Sequence, residues 1–416
     1  MSWTLNFLIR IALAAALFAV GVLVASKWWN RCGMKAAVTY YAVRIAAMVA
    51  AVEALGMVPF DVSGWHLHAG WMVEKGMFPG RDFLSPYNLG FNGLLALCES
   101  VWRSPSSIIV FFTLCEALAL RLLYKVADKL LGRKVTKRGM ILYLSSPICL
   151  MQSTFSAQDE TLFTLAIAAY LYFTFVADSR VGRSLTSVFS ILFTKLIAPF
   201  YMVPFVLIRR WRAAAVFGIA FVAYLCVVRL LGLDPFCLAF GREPGLAASA
   251  DDILGLTTSG NLASLFPMVS DTVRNVALVV LLSVTGLAAL RPLLTVTDDC
   301  GKLRLATRLM TVWLLIFMLF YRMTYTYYVI PVFPLVCLMA QDSAFLPRRL
   351  RPVAVVWVFL FAFKDMLQAG YDYHGFLAGH PWVMTLVSAL CVVMTVVLLL
   401  IHKQKSGGLA KPPLFA

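Results

Sequence analysis

The first group in this chain equipped for chemistry is Asp61, which follows an apolar run directly in Phe60-Asp61-Val62-Ser63-Gly64-Trp65-His66-Leu67-His68. An ionisable side chain where apolar chain meets water is expensive to keep, and a carboxylate partly screened from water can take a proton near neutral pH. Asp61 is therefore the candidate general base. His66, His68 and Arg81 follow in the same polar stretch, which extends to Tyr87. Two histidines two residues apart on a helix point about 200° apart, so they cannot share a metal there. One of them is expected to line the reaction chamber.

Further along, Gln158, Asp159 and Glu160 offer the paired acceptors and donors that sugar hydroxyls need. Lys195 sits among apolar residues in Phe193-Thr194-Lys195-Leu196, and Arg322, Tyr325 and Tyr327 lie in Tyr321-Arg322-Met323-Thr324-Tyr325-Thr326-Tyr327-Tyr328. A guanidinium fork matches phosphate oxygens, which makes Arg322 the first candidate for a phosphate contact and Lys195 and Arg81 the next. Each group also has a plain reading. Asp61 beside Ser63 is the pattern of a helix cap, acids at 159 and 160 suit a helix N-terminus, Lys195 can snorkel, and Arg322 with its tyrosines can be an interfacial belt.

These groups must be held by membrane helices. Of 416 residues, 61% are apolar and 13% charged, and the mean hydropathy is +0.85. That composition excludes a water-soluble domain. Runs such as Leu5 to Ala25, Ala36 to Val58, Ala213 to Leu231 and Trp382 to Ile401 are long enough to span a bilayer. The first lacks a small-residue cleavage site and is expected to be retained. The expected fold is an all-α polytopic bundle of about 11–13 membrane helices. Residues 1–405 form one transmembrane domain and 406–416 a disordered tail.

The net charge of +16 comes from short Lys/Arg clusters between apolar runs, a topology signal and not a nucleic-acid surface. Placing those clusters in the cytoplasm puts the stretch from Phe60, the Gln158 segment and the Tyr321–Tyr325 segment outside. In the first outer loop, Ser63 is expected to cap an interfacial helix from Gly64 to Lys75 that stops at Gly76. Tyr87 to Trp102 and Leu185 to Ile208 are short or interrupted by Gly, Lys and Pro, and are expected to be broken or re-entrant. The nine cysteines show no CxxC pair and read as packing residues. No Walker loop, GxSxG or HExxH is present, so nucleotide hydrolysis and zinc proteolysis lack their usual groups.

The order of these features resembles the GT-C superfamily of multi-pass glycosyltransferases, in particular the lipid-linked-sugar mannosyltransferases. An aspartate in the first outer loop is followed by Gly76-Met77-Phe78-Pro79-Gly80-Arg81-Asp82-Phe83 and Ser85-Pro86-Tyr87. Gln158-Asp159-Glu160 then heads a helix, Thr194-Lys195 lies in a short helix, and Tyr327-Tyr328-Val329-Ile330-Pro331 comes later. The resemblance covers roughly residues 36 to 340. It implies Asp61 as base, a polyprenyl- or dolichyl-phosphate sugar as donor, a lipid or glycan acceptor, inversion at the anomeric carbon, and no cofactor, usually without a metal. Asp61 is followed by Val62 and not by a second acid, a departure from members that use a metal. The expected location is a bacterial inner membrane with the site facing outward, or the endoplasmic reticulum in a eukaryote. A transporter or flippase for lipid-linked saccharides, or an assembly subunit, is the other class these residues allow.

Overall fold

The computed structural model describes residues 3–24, 33–83, 85, 87–149, 157–209, 211–233, 260–266, 268–321, 325–342, 345–348, 351–374 and 381–404. These are helical throughout, with a single isolated bridge between Pro79 and Phe83. Among the described residues, five helices are long and apolar enough to cross a bilayer: Met34–Leu55, Pro105–Leu131, Trp211–Leu230, Asp271–Thr295 and Asp299–Phe320. The chain is an integral membrane protein, as backbone in lipid must satisfy its polar groups internally. It divides into two compact units. One comprises Met1–Leu246, Pro292–Thr307 and Val329–Phe345, and the other Ala247–Arg291, Arg308–Tyr328 and Leu346–Ala416.

The first unit holds α1 (Trp3–Leu23), α2 (Met34–Leu55), α3 (Phe60–Lys75), α4 (Leu89–Val101), α5 (Pro105–Leu131), α6 (Arg133–Leu144), α7 (Glu160–Phe175), α8 (Arg180–Leu192), α9 (Ala198–Val206) and α10 (Trp211–Leu230). The long helix α5 is its axis, packing against α2, α6 and α7. Helix α3 begins earlier than the sequence suggests. Pro59, with its φ of −61°, occupies the N-cap, and Ser63 lies inside the helix, where its N–H donates to the Pro59 carbonyl. The reason is that proline fixes the helical φ one turn before the serine. Asp61 in the first turn and Lys75 in the last complement the helix dipole, and Gly76 at φ 63° ends the helix as expected.

Val62, Trp65 and Ala69 form the buried stripe of α3, packed against Phe91 and Leu95 of α4 and Ile108, Ile109 and Phe112 of α5. The Trp65 ring meets the rings of Tyr87, Phe91 and Phe112 edge-on at 5.5–5.7 Å. That wedge fixes where Asp61, one turn earlier, must sit.

The interrupted stretch from Leu185 is a true break between α8 and α9. Pro199 enters the first turn of α9, and Pro204 lies within it. The loose end of α8 is tied to the head of α4, where Asn88 donates through Nδ2 to the Ile191 carbonyl (2.6 Å) and through its backbone N–H to that of Thr194 (3.3 Å). Gly90 is required by this contact, because a Cβ there would lie 2.5 Å from the Leu192 carbonyl oxygen. Carbonyls left over at a helix end need such donors.

Between α2, α5 and α6 lies an ion pair with no solvent exposure on either side: Arg44 Nη2 to Glu116 Oε2 at 3.0 Å. Tyr41 and Tyr143 each donate to Glu116 Oε1 at 2.7 Å, and the Arg44 guanidinium lies 4.7 Å from the centre of the Tyr41 ring. Both charges interrupt otherwise apolar helices, and each is tolerable only with the other.

The second unit contains α11 (Leu262–Leu265), most of α12 (Asp271–Thr295), the later part of α13 (Asp299–Phe320), α15 (Arg351–His374) and α16 (Pro381–Gln404); the short helix α14 (Phe333–Met339) belongs to the first. Helices α15 and α16 pack together, with Trp357 Nε1 donating to Thr395 Oγ1 at 2.9 Å. Trp313 of α13 donates to Thr285 of α12 at 3.1 Å.

Glu116→Gln removes half of the buried pair and strands the Arg44 cation, so it should cost about 3–5 kcal/mol, whereas Arg44→Met combined with Glu116→Met should recover most of that loss. Thermal unfolding of the detergent-purified variants checks both. Equal stability of Glu116→Gln and wild type would show that the pair is not the constraint described.

Candidate functional site

Asp61 stands in the first turn of α3, partly exposed, and makes no capping bond of its own. Its Oδ2 accepts a hydrogen bond from Gln158 Nε2 at 2.7 Å. Gln158 is turned toward it by an unusual backbone, since the preceding Ala157 adopts φ 47° while fully buried. A non-glycine residue in that region is strained by about 1–3 kcal/mol and persists only where its surroundings dictate it.

The next two residues carry the site's charge. Asp159 and Glu160, each 1% exposed, open α7, and both reach the same ammonium: Lys195 Nζ lies 2.9 Å from Asp159 Oδ1 and 2.8 Å from Glu160 Oε1. Lys195 comes from the break between α8 and α9, where no continuing helix forces its side chain toward lipid. Its ammonium also stands 5.2 Å from the centre of the Tyr87 ring, which is stacked on Phe91 at 4.4 Å. Asp159 Oδ2 and Glu160 Oε2 are buried without hydrogen-bond partners. The helix dipole favours both carboxylates at this end of α7, but one ammonium for two buried acids leaves surplus negative charge.

The structure thus brings Asp61, Gln158, Asp159, Glu160 and Lys195 into one cluster and adds Tyr87. The Lys195 ammonium is held between two carboxylates, which an anionic ligand would have to displace. The remaining candidates have partners of their own or fall outside this cluster's unit. His66 turns to α4, with Nδ1 2.8 Å from the buried Glu99 carboxylate. His68 packs its ring against Trp71 (5.3 Å) and Phe83 (4.8 Å), and burial holds its imidazole below the usual value. Arg81 is 66% exposed and bonded to its neighbour Asp82. Tyr325 and Tyr327 stack on one another at 4.9 Å in the second unit, and Arg322 falls outside the described residues.

Tyr87, Glu99 and Ala157 were not singled out by residue type. A tyrosine two residues before an apolar helix and a glutamate within one look ordinary in sequence. Only their neighbours give them a role.

The loop after α3 is closed by Asp82, whose carboxylate accepts from the Phe78 N–H at 2.6 Å and from Arg81 at 2.7 and 2.9 Å. The Arg81 bond first, and the Phe78 N–H second, pull the Asp82 carboxyl down to about 2. A depressed carboxyl stabilises the closed loop fully above its unfolded value of about 3.9, and that contribution is lost as pH falls through the folded value. Amide hydrogen exchange in residues 77–83 should therefore stay slow from neutral pH down to about 4 once the intrinsic pH dependence is removed, and Asp82→Asn should speed it at neutral pH.

Lys195→Met leaves two buried carboxylates without their cation. It should lower the unfolding free energy by about 3–5 kcal/mol, measured by thermal unfolding in detergent. Unchanged stability would mean that the ion pairs do not hold α7 to the break. Comparison of the chain with protein-family models, with curated proteins and with solved structures returns no match.

Proposed function

We propose that this protein is a GT-C-type inverting glycosyltransferase that moves a sugar, mannose-like, from a polyprenyl-phosphate carrier to a lipid or glycan acceptor. The observation that carries the reading is the Gln158–Asp61 hydrogen bond of 2.7 Å beside the doubly paired Lys195. A partly exposed carboxylate with one oxygen held by an amide donor is oriented toward an incoming hydroxyl, which is what a general base requires.

In the reaction, Asp61 Oδ1 takes the proton of the acceptor hydroxyl. The acceptor oxygen attacks the anomeric carbon from the face opposite the carrier, the bond from that carbon to the phosphate oxygen breaks, and polyprenyl phosphate leaves with the electron pair. No cofactor enters. Positioning and charge stabilisation supply most of the acceleration, and base catalysis contributes on the order of 10²–10⁴. Lys195 acts through Asp159 and Glu160, fixing the turn that carries Gln158. The carrier's phosphate is left to a basic side chain elsewhere, Arg322 being the candidate in the sequence.

On this reading α3 lies along the outer membrane surface, the chain crosses the bilayer about 11–13 times, and the site faces outward from a bacterial inner membrane. Exposed Leu67 and Phe78, on and just beyond α3, support an interfacial position.

Asp61→Asn keeps the size and the hydrogen-bonding capacity of the side chain but cannot accept the proton. Membranes carrying it, given a labelled polyprenyl-phosphate mannose, should form product about 10²–10⁴ times more slowly than wild type. Wild-type turnover removes Asp61 as base. Movement of intact carrier across the bilayer with no new glycosidic bond would replace this reading with a flippase.

A further inference from the structure

The charges around Asp61 are unbalanced in a way that selects what can lie there. Three carboxylates, Asp61, Asp159 and Glu160, face one ammonium, Lys195, which both buried acids already share. The formal charge of the cluster is −2, and it remains −1 even with one proton held between Asp159 and Glu160. Such a surface repels phosphates and carboxylates, and like-charge juxtaposition in a partly desolvated site costs more than in water.

The groups on the open side of the cluster are of another kind. Tyr87 is only partly buried. Its ring is fixed on three sides, by the stack on Phe91 (4.4 Å), the edge of Trp65 (5.7 Å) and the Lys195 ammonium (5.2 Å). Burial holds this phenol well above its usual pKa, with Lys195 lowering it and Asp159, Asp61 and Glu160 raising it. Its ring is immobilised, and its hydroxyl is a donor within electrostatic reach of the base. With the Gln158 amide and the Asp61 carboxylate it makes a set of donor, acceptor and amide groups that suits adjacent hydroxyls on a ring.

We propose that Asp61, Gln158 and Tyr87 form the acceptor subsite, that it takes a neutral sugar and rejects an anionic one, and that the Tyr87 hydroxyl binds a hydroxyl next to the nucleophile. The inference rests on the glycosyl-transfer reading of Asp61 and adds the charge class of the acceptor and the residue that reads it. The lipid phosphate of the donor is kept out of this subsite by the same surplus of carboxylate. The two substrates are thereby sorted by charge before any step of the reaction begins.

The test uses the purified full chain in lipid nanodiscs, with labelled polyprenyl-phosphate mannose as donor and methyl mannoside or methyl glucuronide as acceptor. Binding of each glycoside by titration calorimetry is the first readout and transfer the second. Methyl mannoside should be bound and glycosylated, with methyl glucuronide at least about a hundredfold poorer in both. Tyr87→Phe keeps the ring and its packing. It should raise the KM for methyl mannoside about 2- to 12-fold, the worth of one hydrogen bond, and leave the donor KM unchanged. Parity of glucuronide with mannoside, failure of mannoside to bind, or a Tyr87→Phe effect on donor KM alone would overturn the subsite. Asp61→Asn run alongside separates the two readings. If it transfers at the wild-type rate, the base assignment is lost. If it is inactive while glucuronide matches mannoside, only the subsite is lost.

Discussion

One ammonium shared by two buried carboxylates is the constraint on which the candidate site depends. Neither Asp159 nor Glu160 can be buried at the head of α7 without a cation, and neither has any other charged partner among the described residues. Lys195 can reach both because the polypeptide breaks just there, between α8 and α9, and frees the side chain from a helical direction. The break is itself held by Asn88 and by the absence of a Cβ at Gly90. The turn that carries Gln158 is fixed through that lysine, and Gln158 holds Asp61.

Rigid packing complements this on the other side. Trp65 is driven among Tyr87, Phe91 and Phe112, so α3 cannot rotate without breaking three aromatic contacts. Aromatic pairs at such distances add to the gain from burial itself. The same Tyr87 ring that braces Trp65 also faces Lys195, which couples the apolar wedge to the charged cluster through one side chain. A packing task and the proposed acceptor-binding task thus meet on the same residue.

The Arg44–Glu116 pair shows a different use of buried charge. There every oxygen of the glutamate has a donor, from the guanidinium and from two tyrosines, and both partners are sealed from solvent. In the Asp159–Glu160–Lys195 group some oxygens have none. Donors on both glutamate oxygens tie α2, α5 and α6 together. Partial satisfaction, next to a partly exposed carboxylate, is what sets the second group apart as the candidate site.

The sequence by itself determined the class and the cast. Apolar content and run length dictate membrane helices, Gly76 dictates where α3 stops, and lysine and prolines in an apolar stretch dictate a break near residue 195. Asp61, Gln158, Asp159, Glu160 and Lys195 were legible as unusual because charge and amide groups are costly beside lipid. Their mutual arrangement was not. Gln158 lies 97 residues from Asp61, and Arg44 lies 72 residues from Glu116. No local pattern encodes which distant charge will neutralise which. The turn of His66 toward Glu99 likewise follows from a neighbour brought in by packing. Local propensities and solvation act residue by residue and can be read along the chain, whereas ion pairing in a low-dielectric interior depends on distance in space, which only the folded arrangement of helices supplies.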